Sequence, residues 1–124
     1  MKLQGITVKE IELTPAIEEY VLKRVAKLSK ICQKEKSATI RVELGERPSQ
    51  HRGVGDSFYA ELDVTIKDQH FNVKKHNPNI YRAIEKARVD MHQKIIKWKK
   101  KDLSTQRKNG AEIKKFLRSA DYNE

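Results

Sequence analysis

The chain holds one cysteine, Cys32, so it has no internal disulfide and falls outside the disulfide-stapled class of small secreted folds. A lone thiol fits a reducing compartment, and Cys32 is expected as a small residue at the edge of the core. No apolar run approaches the roughly 18 residues that span a bilayer. The opening Met1-Lys2-Leu3-Gln4-Gly5 has no signal-peptide h-region. No membrane partner is therefore expected, and a cytoplasmic location is. Aromatics make up only 6% of the residues, and no aromatic octapeptide of the kind that stacks single-stranded bases is found. Sequence-specific reading of single strands is thereby disfavoured.

Catalytic chemistry is also poorly provided for. Enzymes need a nucleophile beside a base, paired carboxylates in a cleft, or ligands at metal spacing. The histidines, His51, His70, His76 and His92, fall in a loop, at two strand ends and in a helix, without the i, i+4 pairing of a zinc helix. Glu61 and Asp63 share a strand face and are the one carboxylate pair able to take a divalent ion. The exposed positions of a one-sided sheet are ordinarily charged, however, and the solvated reading is preferred. Gly53-Val54-Gly55 is a fragment of a phosphate loop without the lysine and hydroxyl that should follow. No catalytic residue, metal, cofactor or small-molecule substrate is expected, and no enzymatic activity.

What the chain has is order and positive charge. Its 124 residues suit one domain, and 35% charge with 37% hydrophobic content fits a folded unit with a charged coat. Residues 2–8 read as a first strand, with Gly5 marking a bulge. Thr14-Pro15 starts a helix, a hydroxyl N-cap before a proline at the first helical position, and Glu18 and Glu19 suit its positive first turn. That helix is expected to reach about Cys32, with Ile17, Val21, Val25, Leu28 and Ile31 on one side and Lys23, Lys27, Lys30 and Lys34 on another.

Alternation marks residues 37–45 and 57–67 as half-buried strands. Ile40, Val42 and Leu44 line one face of the first; Phe58, Ala60, Leu62, Val64 and Ile66 line one face of the second. Between them lies a polar loop, 46–56, whose Arg47, His51 and Arg52 could touch a ligand. After a tight turn near Asp68-Gln69, residues 70–76 form a weaker strand with Phe71 and Val73 inward. The Asn77-Pro78-Asn79 breaker then lets Asn79 cap a long helix. Ile84, Ala87, Met91, Ile95 and Trp98 share a narrow sector of that helix, nearly opposite Arg82, Lys86, Gln93, Lys97 and Lys100. The predicted fold class is α+β, in the order β-α-β-β-β-α, a four-stranded sheet with two helices packed on one face. Residues 1–101 form the domain. Residues 102–124 are expected as a flexible C-terminal tail, with a linker-like 104–110 and an amphipathic turn carrying Ile113, Phe116 and Leu117.

The formal net charge is +10. Residues 79–101 contribute eight cations against Glu85 and Asp90, so the segment nets +6. A charge run is usually a solvated face. Here acids are not interspersed as i, i+4 partners and the first helix repeats the stripe, so phosphate binding is preferred over solubility alone. The nucleic-acid-binding candidates are Lys23, Arg24, Lys27 and Lys30 on the first helix and Arg82, Lys86, Lys94, Lys97, Lys99, Lys100 and Lys101 on the second. Phe58, Phe71 and Trp98 are expected in the core, while Tyr20 and Tyr59 stay open as stacking candidates.

Three stretches carry a resemblance: Thr14-Pro15-Ala16-Ile17-Glu18-Glu19-Tyr20-Val21, Arg24-Val25-Ala26-Lys27-Leu28, and Ile80-Tyr81-Arg82-Ala83-Ile84-Glu85. Together with the strands between them, up to about residue 101, they resemble the bacterial ribosome hibernation-promoting factor and ribosome-associated inhibitor family. The resemblance implies a fold akin to a double-stranded-RNA-binding domain with an added first strand. It also implies binding to the small ribosomal subunit and its ribosomal RNA, and to the intact ribosome, in the decoding region. There the family blocks transfer RNA and messenger RNA and silences translation in resting cells, gripping through basic residues of both helices. By position, Arg24 and Lys27 match the family's first helix, and Lys97, Lys99, Lys100 and Lys101 its second. The chain departs at Asp90, Met91, Gln93, Lys94 and Ile95, where the family's cation at 93 is shifted to Lys94, and after Lys67, where a glycine is usual. The 23 residues after Lys101 are too few for the second domain of long family members, and their near balance of charge differs from the acidic tail of the ribosome-associated inhibitor. A general binder of structured RNA without ribosome preference is the alternative, and a metal-dependent nuclease or RNA-modifying enzyme using Glu61 and Asp63 ranks third.

Overall fold

The computed structural model describes residues 1–47 and 57–117, with side chains as far as Asp102. The expectations for His51, Arg52 and Gly53-Val54-Gly55, and for the side chains of Ile113, Phe116 and Leu117, lie outside the described residues. Six elements follow in order: β1 (Lys2–Lys9), α1 (Pro15–Ile31), β2 (Thr39–Glu46), β3 (Phe58–Ile66), β4 (Gln69–Asn77) and α2 (Ile80–Leu117). The chain divides into two compact units, Met1–Lys94 and Ile95–Glu124.

In the first unit the sheet runs β1-β2-β3-β4. β1 pairs parallel to β2, and the other two pairings are antiparallel. A parallel neighbour needs a long crossover, and α1 supplies it. The register of β1 on β2 shifts between Leu3 and Gly5, the bulge expected at Gly5. Alternation then sorts the faces. Ile40, Val42, Leu44, Ala60, Leu62, Val64, Ile66 and Val73 are buried on one side, with Phe71 half-buried beside them. Ile17, Val21, Val25 and Leu28 of α1 and Ala83, Ile84, Ala87 and Met91 of α2 are buried as well. Val21, Val25, Leu28, Leu62 and Ile84 line one closed cleft, so both helices cover the same face of the sheet. Cys32 is fully buried at the end of α1.

Local chemistry sets the helix ends. The Thr14 hydroxyl accepts the backbone N–H of Ile17 at 3.2 Å, ahead of Pro15. Asn77 is buried and its Oδ1 accepts the N–H of Asn79 at 2.9 Å; Asn79 in turn accepts from Tyr81 at 2.9 Å and from Arg82 at 3.4 Å. Two successive asparagine side chains thus carry the chain from β4 into α2. The hairpin between β3 and β4 turns on Lys67, which sits in the left-handed region at φ 54°.

The stretch 104–110, expected as a linker, lies within α2, whose backbone is helical to Leu117. Gly110 is a cost of about 1 kcal/mol in a helix interior, and the Gln, Arg, Lys, Ala and Glu residues around it are good helix formers. In the second unit Ile95 is buried and Trp98 half-buried. Among the described residues, no helix is long and apolar enough to cross a membrane.

Candidate nucleic-acid interface

The two faces of the first unit manage charge differently. On the face of the sheet away from the helices, Lys2, Lys9, Arg41 and Lys74 stand among Glu43, Glu61 and Asp63, four cations to three carboxylates. They are largely engaged with one another or with neighbours. Lys9 Nζ is 3.6 Å from Glu43, Arg41 Nε donates to Gln4 Oε1 at 2.9 Å, and His70 Nε2 lies 3.2 Å from Asp63. The Asn72 amide donates to Glu61 at 3.0 Å and to Asp63 at 2.8 Å. These two carboxylates converge on an amide N–H, not on an empty coordination position. Among the described residues there is no metal-holding group of three or more His, Cys, Asp or Glu.

Tyr59 on that face is only 8% exposed. It stands opposite Gly45 in the β2–β3 register, and a Cβ at position 45 would come within 2.6 Å of the Tyr59 hydroxyl oxygen. An aromatic ring laid over a cross-strand glycine fills the gap that the missing side chain leaves. The hydroxyl donates to Glu43 Oε2 at 2.7 Å, and Lys74 Nζ lies 4.4 Å from the ring centroid. Burial, and then the hydrogen bond to Glu43, push the Tyr59 phenol up to about 12. Tyr59 is therefore packed, and its ring is not a free stacking platform. Tyr20 is engaged too, edge-on to Tyr81 at 5.1 Å and under the Arg24 guanidinium at 4.4 Å.

The helix side is different. Lys27 and Lys30 on α1 and Arg82 and Lys86 on α2 are exposed, and among the described residues they make no ion pair. The remaining candidates of this unit are held. Lys23 pairs with Glu19 at 3.1 Å, one turn earlier. Arg24 NH1 is 3.7 Å from Glu85, across from α1 to α2. Lys94 Nζ reaches the backbone oxygen of Asn72 on β4 at 3.4 Å, and at about 100° per residue it lies roughly 120° around α2 from Arg82. Asp90, the acid that departs from the resembled pattern, is 3.6 Å from Lys75 of β4, so its charge is answered locally. Arg88 was absent from the candidates. It donates to Glu85 Oε1, a partner that a charge count including Arg88 does not reveal. In the second unit Lys97, Lys100 and Lys101 are exposed and Lys99 is half-buried.

The family model for the Sigma 54 modulation protein / S30EA ribosomal protein matches residues 5–102, most of the chain. The chain belongs to this family. Two solved structures share the fold of this S30EA-family chain. The N-terminal domain of Protein Y from Thermus thermophilus aligns with a TM-score of 0.63 at 21% identity, covering 79% of this chain and 99% of that one. A ribosomal subunit interface protein from Coxiella burnetii aligns with a TM-score of 0.60 at 14% identity, covering 77% of this chain and 98% of that one. At these identities the likeness establishes the fold, the predicted β-α-β-β-β-α arrangement. No curated protein matches the chain.

Proposed function

We propose that this S30EA-family chain is a ribosome hibernation factor: it lays its helix side on the RNA of the small ribosomal subunit in the decoding region, blocks transfer RNA and messenger RNA, and silences translation in stationary phase or stress. The observation that carries this reading is the segregation of unpaired charge. Lys27, Lys30, Arg82 and Lys86 stand exposed without ion pairs among the described residues, while the open sheet face nearly balances its own charge and engages its carboxylates internally. A polyanion is the partner that relieves the first arrangement, because phosphate neutralisation releases condensed counterions. Lys23, Arg24 and Lys94 join the contact around this core. The second unit adds Lys97, Lys99, Lys100 and Lys101. Membership of the S30EA family supports a ribosomal target over a free duplex. The neighbour described as a ribosomal subunit interface protein points the same way. Engagement of Tyr20 and Tyr59 in packing supports recognition of backbone and shape, not of stacked bases. The reading assigns the protein no chemical step and places it in the cytoplasm, with residues 1–101 as the binding domain and 102–124 as an appended C-terminal segment.

Co-sedimentation through a sucrose gradient tests it, comparing the wild type with a Lys27→Ala, Arg82→Ala, Lys86→Ala variant. Wild type is expected with small subunits and intact ribosomes, and the variant at the top. Adding transfer RNA should displace the bound protein if the decoding region is the site. Both proteins remaining at the top at physiological salt overturns the ribosomal reading, and equal loss of wild type to a duplex RNA competitor would favour a general structured-RNA binder.

A further inference from the structure

One carboxylate on α2 holds two arginines. Glu85 Oε1 accepts from Nε of Arg88, almost one turn later, and Glu85 Oε2 faces Arg24 NH1 of α1 at 3.7 Å. Arg24 NH2 also donates to the Tyr20 hydroxyl at 3.1 Å, and its guanidinium lies over the Tyr20 ring, which meets Tyr81 of α2 edge-on. The stems of Arg24 and Arg88 help line the closed cleft between α1, α2 and Leu62 of β3. Their side chains are only 23% and 15% exposed. The Arg24 Nε is buried without a partner, so its guanidinium does not saturate its donors inside the protein.

We propose that Glu85 is a positioning residue that gives the interface its selectivity: it ties Arg24 of α1 to α2, so that the cations of the two helices meet RNA as one rigid pattern. This rests on the RNA-binding reading above. The competing physical account is that Glu85 merely subtracts one positive charge. The two accounts predict opposite things. A pure charge effect tightens binding to every polyanion when the acid is neutralised. Loss of positioning leaves binding to an arbitrary duplex intact or tighter but weakens a target whose phosphates have fixed places, because the freed Arg24 must be reordered on binding.

The experiment uses the full chain as wild type, as Glu85→Gln, and as Glu12→Gln, the last removing an exposed acid outside the cluster. Dissociation constants are measured for purified small ribosomal subunits and for a duplex RNA of about 16 base pairs. Glu12→Gln should strengthen both equally. Glu85→Gln should leave the duplex equal or tighter and weaken the subunit by about tenfold. The two variants changing both ligands in parallel overturns the proposal. Solvent exchange of the arginine Nε–H groups, read by 15N NMR on the free protein, reports positioning without any ribosome. Slow exchange at Arg24 and Arg88 should become fast in Glu85→Gln; unchanged exchange also overturns the proposal. A wild type that ignores small subunits while its arginine signals behave as expected removes the ribosomal target alone.

Discussion

Tyr59 lies on the sheet face that alternation assigns to water, and it is nevertheless buried, because Gly45 leaves a groove for its ring and Glu43 accepts a hydrogen bond from its hydroxyl. Gly45→Ala should therefore cost about 1–3 kcal/mol in urea unfolding, the penalty of overfilling a packed site. Alkaline titration followed by tyrosine absorbance should show one phenol ionising near 12. The folded phenol binds its proton more tightly than the unfolded one. Its contribution to stability is therefore whole below about pH 10 and is lost as the pH rises towards 12. Tyr59→Phe should abolish that alkaline slope. None of this could be read locally. The strand pattern places Tyr59 on the correct face, but its burial depends on which β2 residue stands opposite, a fact of register.

At the scale of elements, patterning succeeds where one period dominates. β2 and β3 alternate cleanly, Thr14-Pro15 and Asn79 mark their helix starts, and Gly5 marks its bulge. It fails at the far end of α2, where each weak helix former costs little and none ends the helix. The hairpin at Lys67 shows a different economy, since a lysine there holds a left-handed conformation that strains a side chain. Lys67→Asn should raise the unfolding free energy by about 0.5–1 kcal/mol, because asparagine tolerates this region. The contact between α1 and α2 has its own pH signature. The hydrogen bond from Arg88 first, and then the nearby charges of Arg88, Arg24 and Lys27, hold the Glu85 carboxyl below its ordinary value against the opposing effect of burial. A lowered folded value means stability that is present above the unfolded pKa of about 4.3 and is lost as the pH falls through the folded one. Glu85→Gln should flatten that acid limb in a series of urea midpoints.

The whole molecule is best interrogated by salt. If six of the proposed cations neutralise phosphates, the slope of log affinity against log salt is about −4 to −5, and removing Lys27, Arg82 or Lys86 singly should reduce it by about one. A slope near zero would dismiss every electrostatic version of the interface. The general position of this surface was legible in the sequence, since lysine stripes at helical spacing show which sides of the helices are cationic. Which cations are free was not. Arg24, Lys23 and Lys94 take partners on a neighbouring turn, helix or strand, and only the folded geometry reveals them. The unequal treatment of charge on the two faces of Met1–Lys94 has one more effect. With a larger surplus of positive charge over the helices than across the nearly balanced open sheet, this unit carries an electric dipole whose positive end is the helix side. In the field of a polyanion a dipole experiences a torque, so the unit turns its helices forward during approach, and fewer encounters are lost to the wrong orientation.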